Sequence, residues 1–147
     1  MAKTHFARAA GQKWVDSFYR WAEPTGNVLY VHNGGTSTGP GDSPEAAYST
    51  IDAAVSACTA DNGDVVVVLE DHAETITGAA GAALDVAGVK VVGLGEGRRR
   101  PRITFGTATA ASFDVSAARC VVENLVFLNA IDSQTAMVNV TAANVTL

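Results

Sequence analysis

The residues able to give or take a proton are Asp71, His72 and Glu74, close together, and then Asp114, Glu123 and Asp132 along the second half of the chain. Paired carboxylates, or a carboxylate beside an imidazole, are the usual equipment of general acid and base catalysis, but they work only at hydrogen-bonding distance from the reacting atoms. Spacing alone does not bring any of these pairs to that distance. Asp85, Asp114 and Asn139 occupy equivalent positions in a recurring phrase and are expected to stack along one face, an arrangement that serves structure as readily as chemistry. His72 and Glu74 serve equally well as a cap on the first turn of the fold, and Glu123-Asn124 reads as a turn. No catalytic site is expected within these residues.

Other chemistries fare no better. Cys58 and Cys120 lie in apolar surroundings without CxxC spacing or a neighbouring histidine, and they read as buried free thiols rather than a disulfide or a metal site. The loop Asn33-Gly34-Gly35-Thr36-Ser37-Thr38-Gly39-Pro40-Gly41-Asp42 is glycine-rich, but it lacks the lysine that would neutralise a phosphate. Neither metal nor cofactor is expected.

These residues are positioned by a repeat. Leu84-Asp85-Val86-Ala87 leads into Val89-Lys90-Val91-Val92, and Phe113-Asp114-Val115-Ser116 leads into Cys120-Val121-Val122. A looser third copy, Val138-Asn139-Val140-Thr141, leads into Asn144-Val145-Thr146-Leu147. The acid or amide recurs after about 29 and then 25 residues, a period of one unit in a stacked repeat architecture. Valine, isoleucine, phenylalanine and threonine favour strands, and in a coil of stacked turns alternate residues point into a narrow core. The expected fold is therefore an all-β solenoid, with Val86, Val115 and Val140 in one inward column.

Ahead of the repeat, Asp64-Val65-Val66-Val67-Val68-Leu69 is a continuous apolar run, as in a strand buried on both faces, and Val28 to His32 and Thr75 to Thr77 read as further strands. Ser49 is placed to cap a short helix over about residues 50–60, with Ile51, Ala54, Val55 and Cys58 on its apolar stripe and Asp52 near its positive end. Phe6, Ala10, Trp14, Phe18 and Trp21 fall on one face of an earlier helix, with Lys13, Asp16 and Arg20 off it, until Pro24 and Gly26 stop it. The organisation expected is a helical arm over residues 1–26 and a β domain over 27–147.

With 147 residues, 48% hydrophobic and 17% charged, the chain can bury a core and is not disordered. It contains no apolar run long enough for a membrane-spanning helix, and its start lacks a signal-peptide core. The net charge of −5 argues against general nucleic-acid binding. Lys3, Arg8, Lys13 and Arg20 against Asp16 nevertheless leave the first twenty residues at +3 and the remainder at −8, a distribution that suits a docking arm. Candidate partner-binding residues are Phe6, Arg8, Trp14, Phe18, Tyr19, Arg20 and Trp21, because aromatics and arginine dominate interface energies. Packing of the same helix on its own domain is the open alternative. Arg98, Arg99 and Arg100, with Pro101 and Arg102, form a basic turn that is either solvated or salt-bridged to an acidic neighbour, such as another copy of this chain, so these three arginines join the candidate partner-binding set. Nucleic acid is a third choice, disfavoured by the acidic remainder.

From about Val28 to Leu147 the chain resembles right-handed parallel β-helix proteins of the pectin-lyase type, especially virion proteins of tailed bacteriophages. The resemblance is carried by Val28-Leu29-Tyr30-Val31, the glycine-rich loop ending in Ser43-Pro44, Tyr48-Ser49-Thr50-Ile51-Asp52-Ala53-Ala54, Gly63-Asp64-Val65-Val66-Val67-Val68 and His72-Ala73-Glu74-Thr75-Ile76. It implies a right-handed parallel β-helix whose short helix lids the N-terminal end of the coil. It also implies a virion structural protein (a capsid decoration, head fibre or tail-spike base) made in the host cytoplasm, bound to other virion proteins through its arm and assembled as a homotrimer. A capsid surface is then a further candidate neighbour for the arginine turn. The alternative implied by the same family is a polysaccharide-degrading enzyme, with a host-surface polysaccharide as ligand. No cap is visible near Leu147, so continuation beyond it, or pairing with a neighbouring subunit, is expected.

Overall fold

The computed structural model describes residues 25–35 and 39–147. Ten short strands run through them: β1 (Val28–Val31), β2 (Val65–Val68), β3 (Ala73–Ile76), β4 (Ala82–Leu84), β5 (Lys90–Gly93), β6 (Arg102–Phe105), β7 (Phe113–Val115), β8 (Val121–Glu123), β9 (Val126–Asn129) and β10 (Val138–Val140). One α-helix, α1 (Ile51–Ser56), separates β1 from β2. No helix among the described residues is long and apolar enough to cross a membrane.

The strands form three sheets, ordered β1-β2-β5-β8, β3-β6-β9 and β4-β7-β10, and every pairing between them is parallel. From β2 onward the chain visits the first, second and third sheets in turn, repeats that order, and repeats it again. Thr146 then returns to the first sheet as a bridge to Val121. This is an all-β architecture and not a closed barrel. Each strand is too short to be stable alone and takes its hydrogen bonds from the strands before and after it in the same sheet.

Alternation along the strands builds the core. Leu29, Val66, Val91 and Val122 stand in one register row of the first sheet. Ile103 pairs with Phe127 in the second, and Phe113 lies between Ala82 and Val138 in the third. Phe127 stacks near Phe105 at 6.1 Å and meets Phe113 edge-on at 5.4 Å, joining the second and third sheets across the interior.

The corners are as regular as the strands. Asp61, Gly88, Arg119 and Asn144 all have left-handed backbones, with φ of 55°, 77°, 62° and 58°. Their turns are stitched together: Asp61 donates its N–H to the Ala87 carbonyl, Gly88 to Ala118 and Arg119 to Ala143. Asp and Asn tolerate this conformation better than most residues with a side chain, and glycine has no penalty there. At another corner Asn124, with φ 55°, donates its side-chain amide to the carbonyls of Gly93 (2.8 Å) and Gly95 (3.0 Å). A Cβ on Gly93 would collide with the Asn124 carbonyl.

Several expectations change in detail. The inward column is Leu84, Val115 and Val140, not Val86, Val115 and Val140. Asp114 does stack with Asn139, but its other partner is Ala83, and Asp85 lies beyond the end of β4. Between the first and second copies the repeat by letters is thus two residues out of register with the repeat by hydrogen bonds, while the second and third copies agree. A slip of two leaves every inward residue inward, so alternation alone does not distinguish the two registers. The helix covers Ile51–Ser56 rather than about 50–60, and its N-cap is Thr50, not Ser49: extended Thr50 accepts the Ala53 N–H on its hydroxyl at 3.2 Å.

Candidate functional site

Of the proton-transfer candidates, the structure brings two together. Asp71 has a left-handed backbone (φ 61°) at the corner before β3, so the chain turns there and the neighbouring His72 is completely buried while Asp71 is exposed. His72 Nε2 lies 3.2 Å from Glu74 Oε2, and the same carboxylate oxygen accepts the Ile51 N–H at 3.1 Å. Thr50 and Glu74 together therefore satisfy two of the amides that open α1, and the helix is tied to β3. Asp52 lies in the first turn of α1, near its positive end as expected, and also accepts the Ala83 N–H at 3.1 Å, which ties α1 to β4. A histidine with no solvent access, locked to a carboxylate that is 8% exposed, is a clamp on the helix rather than a group presented to substrate.

The other candidates are dispersed. Asp71 accepts from Arg99 Nε at 3.1 Å, and Arg99 also reaches Glu70. Arg98 and Arg99 lie in a 3-10 turn over Gly97–Arg99, and Arg100 follows it. The basic turn is thus salt-bridged within its own chain at Arg99, while the Arg98 side chain is exposed. Asp114 is half-buried with Oδ1 unpartnered in the structure. Glu123 lies on the outward side of β8, and burial pushes its carboxyl above the usual range. Asp132 is exposed in the loop after β9. Phe6, Arg8, Trp14, Phe18, Tyr19, Arg20 and Trp21 lie outside the described residues.

Both cysteines are free. Burial, with Asp64 nearby, pushes the Cys58 thiol up to about 12, and burial also raises Cys120, so neither is an activated thiolate. Among the described residues no group of three or more His, Cys, Asp or Glu side chains is placed to hold a metal ion.

The most highly connected carboxylate is Asp64, which sequence reasoning treated only as the start of a strand. It is fully buried and accepts from Asn27 N–H at 2.6 Å, Thr59 N–H at 2.7 Å and the Asn62 amide at 2.6 Å. Burial alone would raise its carboxyl, but the donors from Thr59, Asn27 and Asn62 outweigh burial and hold it below the usual value. The signal available beforehand was Asn62-Gly63-Asp64, a turn directly before an apolar strand. Asp61 and Arg119 form a second unforeseen pair, with contacts of 2.7 and 2.8 Å from one guanidinium nitrogen to both carboxylate oxygens, reaching past the Gly88 corner that lies between their own.

These polar contacts join successive circuits or fasten the helix, and none assembles a nucleophile, base and open cleft. Comparison with protein-family models, with curated proteins and with solved structures returned no match.

Proposed function

We propose that the chain is a right-handed parallel β-helix lidded by α1 and that it serves as a structural component of a tailed-bacteriophage virion: a capsid decoration, head fibre or tail-spike base. The observation that carries this reading is the unvarying order in which the chain visits three parallel sheets, three times from β2 to β10, with a helix against β1, β2 and β4. That pattern agrees with the motifs from Val28 to Ile76 on which the resemblance rests. A coil of this kind is a stiff rod that advances about 4.8 Å per circuit and offers an outer surface for lateral contact.

In this role residues 1–26 attach the rod to another virion protein, and the basic turn at Arg98 and Arg100 adds a second point of contact. The acidic remainder disfavours nucleic acid as the partner. Exposed Leu128 and Met137 supply apolar area on the outside, which a homotrimer would cover by packing coils side by side. Capture of capsid and tail proteins by the immobilised chain, beside an assay against bacterial polysaccharides, tests the reading. Retention of a virion protein without polysaccharide cleavage is expected. Depolymerisation of a polysaccharide by the chain alone would replace the reading with the enzymatic one.

A further inference from the structure

Both faces of the first sheet are apolar, and only one of them meets the core. Leu29, Val31, Val66, Val68, Val91 and Val122 point into the main cluster. The alternate residues Val65, Val67 and Val92 form a separate cluster, with Val28, Tyr30, Leu69 and Leu94 against it. Val67 stands between Tyr30 and Val92, and Val65 between Val28 and Lys90. A valine on the outside of a sheet normally keeps part of its surface wet, yet Val65 and Val67 are 0% and 1% exposed. The described helix does not cover them, because α1 sends Ile51, Ala54 and Val55 into the main cluster on the other side. At the far end of the Tyr30, Val67 and Val92 row stands Glu123, itself desolvated. The face has the burial of an interface and no described element to account for it.

We propose that the occupant is residues 6–21 of this same chain, laid as a helix across the outer face of the first sheet with Phe6, Trp14, Phe18 and Trp21 seated on its valines. Connectivity favours it: the segment leads, through Pro24, directly into β1, the edge strand of this sheet, so it is held at high effective concentration beside the face. Its length is sufficient, since sixteen helical residues extend about 24 Å and four strands span only about 14 Å between outer axes. The chemistry matches, because large aromatic rings bury more apolar area than any other side chains and the face offers no other use for its valines. Charge matches as well: the first twenty residues carry +3 against −8 elsewhere. Seated this way, the arm keeps its basic side for partners and its aromatic side for its own sheet. The proposal stands whether or not the protein is a virion component.

Trp14 and Trp21 are the only two tryptophans, so tryptophan emission from the full chain reports on this segment alone. In the monomer, established by light scattering, the emission is expected to be blue-shifted and several-fold less quenched by acrylamide than free N-acetyltryptophanamide. Val67→Lys should move emission and quenching toward the free-indole values while far-UV circular dichroism stays that of the folded sheets. Leu94→Lys, at the rim of the cluster, makes the same test with a milder change should Val67→Lys fail to fold. Ser116→Lys, an exposed site after β7, should leave both readouts unmoved. Water-exposed indoles in the monomer would overturn the proposal. So would a blue shift that develops only with self-association or an added partner, or one that folded Val67→Lys and Leu94→Lys leave unchanged.

Discussion

Leu84, Val115 and Val140 occupy one inward column of the third sheet, yet Leu84 and Val115 are completely buried and Val140 is 42% exposed. Residue type and direction are the same for the two valines, so the difference measures what neighbouring circuits contribute. At the helix end, α1 covers the interior and is tied down by Thr50, Glu74 and Asp52. At the other side β10 pairs only with β7, and no described strand lies beyond it to cover Val140. Burial is thus set by which neighbouring strands and helix cover a residue before it is set by the sequence pattern.

The contrast is sharpest in the interior. Phe113→Ala removes a fully buried ring that meets Phe127 and should cost about 3–5 kcal/mol in a denaturant titration. Val115→Ala should cost about 2 kcal/mol, from the transfer energy of a buried valine, and Val140→Ala distinctly less. Equal effects at Val115 and Val140 would break the comparison.

Asp64→Ala comes next, at about 2 kcal/mol, because the N–H groups of Asn27 and Thr59 would lose their acceptor. Its folded carboxyl is held below its unfolded value, so its contribution is present above the ordinary carboxylate range and is lost as pH falls through the lowered folded value. Asp64→Asn should therefore flatten the acid limb of a stability against pH curve. Glu123 has the opposite sign: its folded carboxyl is raised, so its ionisation works against the fold as pH rises through that interval. Glu123→Gln should raise stability at neutral pH and leave it little changed in acid.

Thr50→Ala removes the helix cap and should cost about 1 kcal/mol. Arg99→Ala breaks solvent-exposed pairs with Glu70 and Asp71 and should change stability by less than about 0.5 kcal/mol. Thermal or denaturant unfolding of both variants checks that fastening the helix matters more than surface charge pairing.

How much of this was legible in the sequence follows from which signals are local. The valine run gave β2, and the repeated phrase located β7, β8 and β10 to within a residue or so, because alternation and β-branched residues are local signals. The second sheet was mostly missed. Arg102 was read as part of a basic turn, yet it opens β6, since pairing with Ala73 overrides its own preference. The two-residue register error arose because Leu84-Asp85-Val86 and Phe113-Asp114-Val115 match in letters while the hydrogen bonds match Leu84 to Val115. The long-range contacts of Asp64 and Glu74 were out of reach for another reason: their donors Asn27 and Ile51 are 37 and 23 residues away, and only the turn at Asn62 marked Asp64 locally. Asp71 and His72 could be named as candidates, but only the turn at Asp71 reveals that the histidine is buried.

Amide hydrogen exchange followed by mass spectrometry tests the stacked account most directly. Successive circuits that protect one another should give slowest exchange at 65–68 and 91–93, where strands are paired on both sides, and much faster exchange at 127–129 and 139–140, where they are paired on one. Uniform protection across these four segments, or stronger protection in β9 and β10 than in β2 and β5, would contradict it.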